Sequence, residues 1–146
     1  MQIIKVKSYA NSAKKQERES LVIFNATPYP NNEKGRDGRL PDGTSYEFKS
    51  LCFSAPSIGG KYVTDHSHDI RTAIAFYMSR AEWLAVRTDE NTILWMDRAE
   101  AIEWLYERAS LNRTSTDKGS HYILRLNHNP RTAEATAKLL AAGFTL

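Results

Sequence analysis

The fold depends most on residues 69–111, which read DIRTAIAFYMSRAEWLAVRTDENTILWMDRAEAIEWLYERASL and contain all three tryptophans of the chain. Their apolar pattern predicts a helix, a short strand and a second helix. The first helix is expected over 69–86, ending near Arg87, with Asp69 as its N-cap. An alternative makes 73–78 a buried strand, followed by a short helix that begins at Ser79. The helical interpretation rests on apolar residues at core-facing spacing: Ile70, Ala73, Ile74, Tyr77, Ala81, Leu84 and Ala85.

The second half of this stretch predicts a buried strand, Thr92–Met96, and then a capped helix. Asp97 stands where an N-cap is expected, and Glu100 follows three residues later, which is the capping-box spacing. Trp104 lies beside the inward stripe of this helix, so we expect a half-exposed side chain and a candidate for partner binding. The stripe itself consists of Ala101, Ile102, Leu105 and Ala109.

The remaining segments complete an α+β prediction for 1–146: a single domain with a mixed or antiparallel sheet of about five strands and three main helices. A polar helix without an apolar face is expected over Ser12–Ser20, with Asn11 as a possible cap. Strand 92–96, helix 98–111 and strand 121–126 predict a right-handed crossover unit. The last helix is expected to start at Asn129-Pro130 and to end at Gly143. Further strands are predicted at Ile3–Tyr9, Leu21–Phe24, Ser45–Ser54 and His121–Leu126.

Composition places the chain among ordinary globular proteins. It has 146 residues, 41% of them hydrophobic and 25% charged, as in a typical compact domain. No apolar run reaches the length of a membrane span, and the N-terminus has no apolar signal-peptide core. The single Cys52 excludes an internal disulfide and a multi-cysteine zinc site. We therefore expect a cytoplasmic protein without a cofactor or membrane association, and the oligomeric state stays open.

Positive charge is concentrated in the first third of the chain. Residues 1–50 contain nine Lys and Arg against six Asp and Glu, and the rest of the chain contains eleven of each. Residues 27–44, rich in proline and glycine, predict a long basic loop or hairpin arm. Such an arm is suited to contacts with phosphates. The candidate nucleic-acid-binding residues are Lys14, Lys15, Arg18, Lys34, Arg36 and Arg39.

One segment concentrates groups that could carry chemistry, Asp65-His66-Ser67-His68-Asp69. Asp65, His66 and His68 are weak candidates for metal ligands, and His66, His68 and His121 are weak candidates for catalysis. Residues 63–68 resemble the Asp-His-x-His start of ββα-metal (His-Asn-His) endonucleases. The resemblance implies His66 as the base and Asp65 as a metal ligand, but the family's cysteine pairs and glycine-containing spacer are absent. The plainer interpretation is that these are helix-capping and loop residues.

Three functions follow from these patterns. The preferred one is a non-enzymatic module that contacts nucleic acid or a nucleoprotein through the basic first third. The alternative is a small protein–protein inhibitor or adaptor, such as a mobile-element accessory protein that blocks a host defence enzyme, with Trp104 and Tyr29 as contact residues. The third, less favoured, is a metal- or histidine-dependent nuclease that uses residues 65–68.

Overall fold

The computed structural model describes residues 1–7, 10–30, 35–58, 69–116 and 119–146, without the side chains of 113–116 and 119–121. The chain divides into two compact units. The first contains Met1–Ser54 and Met78–Ala101, and the second contains Ala55–Tyr77 and Ile102–Leu146. The prediction of a single domain stays a prediction.

The described residues form four α-helices, nine strands and one 3₁₀ turn. The helices are α1 (Ala13–Ile23), α2 (Ile70–Tyr77), α3 (Arg98–Arg108) and α4 (Ala133–Ala141), and the 3₁₀ turn is Met78–Arg80. The strands are β1 (Gln2–Lys5), β2 (Thr27–Pro28), β3 (Gly38–Arg39), β4 (Ser45–Ser50), β5 (Ser57–Ile58), β6 (Trp83–Asp89), β7 (Thr92–Asp97), β8 (Ala109–Thr116) and β9 (Gly119–Leu126).

The strands form two sheets, and the α+β prediction is confirmed. The larger sheet has the order β1-β7-β6-β4-β3-β2 and is mixed, because β4 and β6 are parallel and the other pairs are antiparallel. The smaller sheet, β5-β9-β8, is antiparallel. The predicted crossover unit is wrong, because β7 and β9 belong to different sheets. The reason is that residues 109–116, predicted to be the end of a helix and a turn, form β8 and pair with β9 as a hairpin.

The prediction of one helix over 69–86 is wrong at its C-terminal half. The helix ends at Tyr77, and Trp83–Asp89 is the strand β6, which lies between β4 and β7. Its residues Leu84 to Arg87 are all fully buried, as expected of a central strand covered on both faces. When consecutive residues are all apolar, the positions expected for a helix face are filled by coincidence. The apolar pattern therefore could not distinguish a helix from a buried strand. The alternative strand at 73–78 is wrong as well, because Ile70–Tyr77 is helical.

Several predicted caps are confirmed. Asp69 Oδ1 accepts from the Thr72 amide at 2.8 Å, which caps α2. Asp97 and Glu100 form the reciprocal capping box of α3, in which Asp97 Oδ1 accepts from the Glu100 amide at 2.9 Å. Gly143 has φ +90° after α4, which ends the helix in the left-handed region. The last helix itself begins later than predicted, after the N-cap Thr132.

The core of the first unit is aromatic. Tyr46, Phe48, Ala85 and Ile93 are its buried centre, and Trp83 and Trp95 pack against it. The two indole rings stack with centroids 5.3 Å apart. Phe24, at the end of α1, lies 4.5 Å from Trp95 between ring centroids. Phe53, predicted to belong to the β4 strand, lies beyond its end and is half exposed.

Helix α1 is longer than predicted, and it packs against the larger sheet through buried polar residues. It includes residues 21–23, which were predicted to be a buried strand. A four-residue apolar run is too short to reveal its period, and the preceding residues are good helix formers. Ser12, rather than Asn11, is the N-cap and accepts from the Lys15 amide. Asn25, with φ 50°, follows the helix in the left-handed region.

The residues that α1 buries are polar, Gln16 and Ser20. Gln16 Oε1 accepts from Ser50 Oγ of β4 at 2.6 Å, and the Ser20 hydroxyl is hydrogen-bonded to the Tyr46 hydroxyl at 2.7 Å. We call the contacts Gln16–Ser50, Glu17–Asp37 and Ser20–Tyr46 the polar seam. Each buried hydrogen bond of this kind stabilises by about 1 kcal/mol, and an orphaned partner costs about 1–3 kcal/mol. The helix is therefore held in register on the sheet by specific polar pairs.

A buried arginine lies below the same helix. Arg87 of β6 is fully buried, and its Nε donates to the Asp89 carbonyl at 2.9 Å while its Nη2 donates to the Glu90 carbonyl. Its Nη1 lies 3.9 Å from Glu19 Oε1 on α1. The guanidinium thus fixes the β6–β7 turn and faces a carboxylate of α1.

We predict that Ser50→Ala lowers the free energy of unfolding by about 1–3 kcal/mol, because it orphans the buried Gln16 amide oxygen and removes the acceptor of the Cys52 amide. Urea denaturation measures the loss. Ser54→Ala, at an exposed position, is the control and should change stability by less than about 0.5 kcal/mol. A Gln16→Ala/Ser50→Ala double-mutant cycle with no coupling energy would contradict a seam contact between these residues.

Candidate functional site

A pocket of about 480 Å³ lies in the first unit beside α1. Helix α1 supplies one part of its lining, and the segments around β2 and before β3 supply the rest. We call it the α1 pocket. Its lining residues are Lys14, Glu17, Arg18, Leu21, Pro28, Tyr29, Pro30, Arg36 and Asp37.

Four of the predicted binding residues meet in this pocket. Lys14 and Arg18 are one helical turn apart on α1, so they project from the same face. Arg36 precedes β3, and its guanidinium lies 4.2 Å from the centroid of the Tyr29 ring. Three cations and one aromatic ring from separate segments therefore border a single cavity.

Two other predicted basic residues, Lys15 and Arg39, are not among the residues that line the pocket. Lys15 Nζ donates to Asn11 Oδ1 at 2.9 Å, on the side of the helix start. Arg39 is exposed on β3. Lys34 lies outside the described residues. The basic first third is thus divided into a pocket group and a surface group.

Two carboxyl groups that the sequence analysis did not select also line the pocket, Glu17 and Asp37. Asp37 lies close enough to Glu17 to act on its pKa. The pKa of Glu17 is raised from 4.5 to about 7. Burial is the largest cause and the neighbouring charge of Asp37 is the second, while Lys14 and Lys49 act in the opposite direction. Two carboxyl groups in contact share a proton because both cannot carry a charge at low cost. Near neutral pH, Glu17 is therefore partly protonated.

Asp37 is fixed by backbone contacts. Its Oδ2 accepts from the Phe48 amide at 2.7 Å, and its own amide donates to the Tyr46 carbonyl at 2.7 Å. The next residue, Gly38, pairs with Tyr46 across β3 and β4. A methyl group at Gly38 would stand 2.3 Å from a carbon of the Tyr46 ring, so glycine is required for this approach. The sequence Arg36-Asp37-Gly38-Arg39 is typical of a turn, which accounts for the glycine. It carries no local signal for the contact with Glu17.

Tyr46 connects the pocket to the core. Burial raises the pKa of Tyr46 to about 12, so it is a neutral hydroxyl at physiological pH. Tyr29, on the pocket wall, uses its own hydroxyl in a 2.5 Å contact with Ser45 Oγ. The Tyr29 ring is therefore held at both its hydroxyl and its face, the latter by Arg36.

The expectation that Trp104 is half exposed is wrong. Its exposed fraction is 7%, because it belongs with Ala101 and Leu105 on the buried face of α3. The Arg108 guanidinium lies 4.5 Å from its ring centroid. A partner-binding role for Trp104 stays a prediction, without the exposure that motivated it.

The histidine segment cannot be placed. Asp65, His66 and His68 lie outside the described residues, and so does the side chain of His121. Their metal-binding and catalytic roles stay predictions. Among the residues that the structure does describe, no group of three His, Cys, Asp or Glu side chains could hold a metal ion.

A second cavity, of about 410 Å³, lies in the second unit at the start of α4. Its lining includes Arg131, whose Nη1 donates to the Ala109 carbonyl at 3.1 Å. The same guanidinium lies 4.7 Å from the centroid of the Tyr106 ring. None of the predicted binding residues that the structure describes lines this cavity, so the α1 pocket is the stronger candidate site.

No protein-family model, curated protein sequence or solved structure matches this chain. None of the helices in the described part of the chain has the length and apolar character needed to cross a bilayer.

We predict that Glu17→Gln flattens part of the pH dependence of stability. Between pH 4.5 and about 7 the folded wild type holds a proton on Glu17 that the unfolded chain releases. Its free energy of unfolding therefore falls as pH rises through that window. The glutamine variant keeps the contact with Asp37 but has no proton to lose. Across the window, the free energy of unfolding of the variant should rise by about 1 kcal/mol relative to wild type. The effect is limited to this size because solvent screens the partly buried Glu17.

Thermal unfolding followed by circular dichroism across this pH range measures the difference. Glu134→Gln, at an exposed carboxylate of α4, controls for the loss of one acidic group. A difference between wild type and Glu17→Gln that stays constant with pH would contradict a shared proton in the pair.

Proposed function

We propose that this protein binds single-stranded nucleic acid without transforming it, by seating one nucleotide in the α1 pocket. The observation that carries the proposal is the meeting of Lys14, Arg18 and Arg36 with Tyr29 around one cavity. These residues come from positions 14 to 36 of the chain, and they include half of the six basic residues selected from the sequence.

The charge of the pocket favours an anionic ligand. Three cations line it against two carboxyl groups, one of which is partly protonated near neutral pH. Lysine and arginine bind phosphate through charge-assisted hydrogen bonds. Lys14 and Arg18 on one face of α1 are spaced to contact neighbouring phosphates of a strand.

The size and walls of the pocket favour a single strand over a duplex. A volume of about 480 Å³ is in the range of small-ligand sites, and a base or sugar-phosphate unit can enter such a cavity only when it is free of a helix. Tyr29, supported by Arg36, and the rings of Pro28 and Pro30 give an apolar wall. Aromatic rings beside basic groups are the usual composition of sites that bind unpaired nucleic acid.

The proposal predicts that removing cations from the pocket lowers the affinity for an oligonucleotide more than removing the same charge from another surface. Lys14→Ala/Arg18→Ala should weaken binding to a fluorescent oligothymidylate by about ten-fold or more. The slope of log affinity against log salt should become shallower by about 1.4, since each phosphate contact on a single strand contributes about 0.7. Fluorescence anisotropy across a salt series measures both quantities.

Lys15→Ala/Arg39→Ala is the matched control, because it removes the same charge from residues that do not line the pocket. It should cost much less affinity. Equal losses of affinity in the two double variants would show that the protein attracts the oligonucleotide only through its overall charge, which would contradict a specific role for the pocket. Wild-type protein that binds no oligonucleotide at low salt would overturn the proposal.

A further inference from the structure

We propose that the Glu17–Asp37 pair makes the α1 pocket a guanine-selective subsite, in which the Glu17 carboxylate accepts hydrogen bonds from the base. This inference rests on the proposed function and names the base that the pocket prefers. The inference gives a role to the two carboxyl groups of the pocket. Phosphate binding alone does not explain them, because a negatively charged carboxylate repels phosphate.

The hydrogen-bonding pattern of a carboxylate identifies the base. An ionised carboxylate offers two acceptor oxygens and no donor. The Watson–Crick edge of guanine presents two adjacent donors, N1–H and the N2 amino group. Adenine presents one donor beside one acceptor, cytosine presents one donor beside two acceptors, and thymine presents one donor between two acceptors. Only guanine can therefore give two parallel hydrogen bonds to one carboxylate.

The geometry selects Glu17 as the group that meets the base. One oxygen of Asp37 is already occupied by the Phe48 amide at 2.7 Å. Asp37 is therefore less available to the base than Glu17. Glu17 lies on α1 within about one helical turn of Lys14 and Arg18, and all three line the pocket. A nucleotide whose phosphate contacts these cations would have its base directed towards Glu17 and the wall formed by Tyr29.

Guanine binding should release a proton. Glu17 titrates near pH 7 in the empty pocket, and the protonated form presents one donor and one acceptor. That form suits the adenine edge, whereas the ionised form suits guanine. The preference for guanine should therefore increase as pH rises through 7, with the proton passing to solvent. The charged and titratable groups around Glu17 are Asp37 before β3, Lys14 and Arg18 on α1, Arg36 on the pocket wall, and Lys49 and Tyr46 on β4.

The test compares oligothymidylates that carry a single central guanosine, a single central adenosine, or neither. Anisotropy titrations at about one pH unit below and above the Glu17 midpoint of about 7 should show a guanosine preference of about ten-fold at the higher pH. The preference should be smaller at the lower pH. Glu17→Gln should lose the guanosine preference and its pH dependence, measured as the ratio of the affinities for the guanosine-containing and the plain oligothymidylate.

Glu90→Gln, at an exposed glutamate of the β6–β7 turn, is the matched control and should behave as wild type. Salt-dependent binding with no guanosine preference at either pH would overturn this inference and leave the proposed function standing. A preference for adenosine at the higher pH would overturn it too. Wild-type protein that binds none of the oligonucleotides would instead overturn the proposed function. The wild-type base and pH series decides the matter even if Glu17→Gln fails to fold.

Discussion

The attachment of α1 to its sheet by polar pairs is the constraint from which the site follows. Gln16, Glu17 and Ser20 lie within about one helical turn and contact Ser50, Asp37 and Tyr46. An apolar helix face tolerates small shifts, because the hydrophobic effect has no direction. The buried hydrogen bonds Gln16–Ser50 and Ser20–Tyr46 do not tolerate them, since each broken pair leaves a buried polar group without a partner. The polar seam therefore fixes the rotation of α1 about its axis and its position along the sheet.

That fixed rotation decides which side chains surround the pocket. With Gln16 and Ser20 directed at β4, Lys14 and Arg18 are carried to the pocket side of the same helix. Glu17 lies at the boundary, half buried, where the seam meets the pocket. The proton that Glu17 shares with Asp37 therefore affects both the attachment of α1 and the charge of the pocket. A ligand that takes over the Glu17 carboxylate must compete with a contact that stabilises α1, so binding and the stability of this region are linked.

The sequence was informative where local chemistry decides the structure. The caps at Asp69 and Asp97, the strand Thr92–Met96 and the end of the last helix at Gly143 all depend on neighbouring residues. It was misleading where long-range pairing decides. Trp83–Arg87 is a strand because β4 and β7 cover both its sides, and no local pattern carries that information. The cations of the site could be selected from charge distribution, but the Glu17–Asp37 contact joins residues twenty positions apart and has no local signature.

The most direct measurement is the titration of the Glu17 carboxyl group by carbon-13 NMR, in wild type and in Asp37→Asn. A shared proton predicts a wild-type midpoint near pH 7. The midpoint should shift towards 4.5 in the variant, because both the charge of Asp37 and its hydrogen bond raise the Glu17 pKa. A wild-type midpoint near 4.5 that Asp37→Asn leaves unchanged would show that the two groups do not interact, and the contact that joins the polar seam to the α1 pocket would be contradicted.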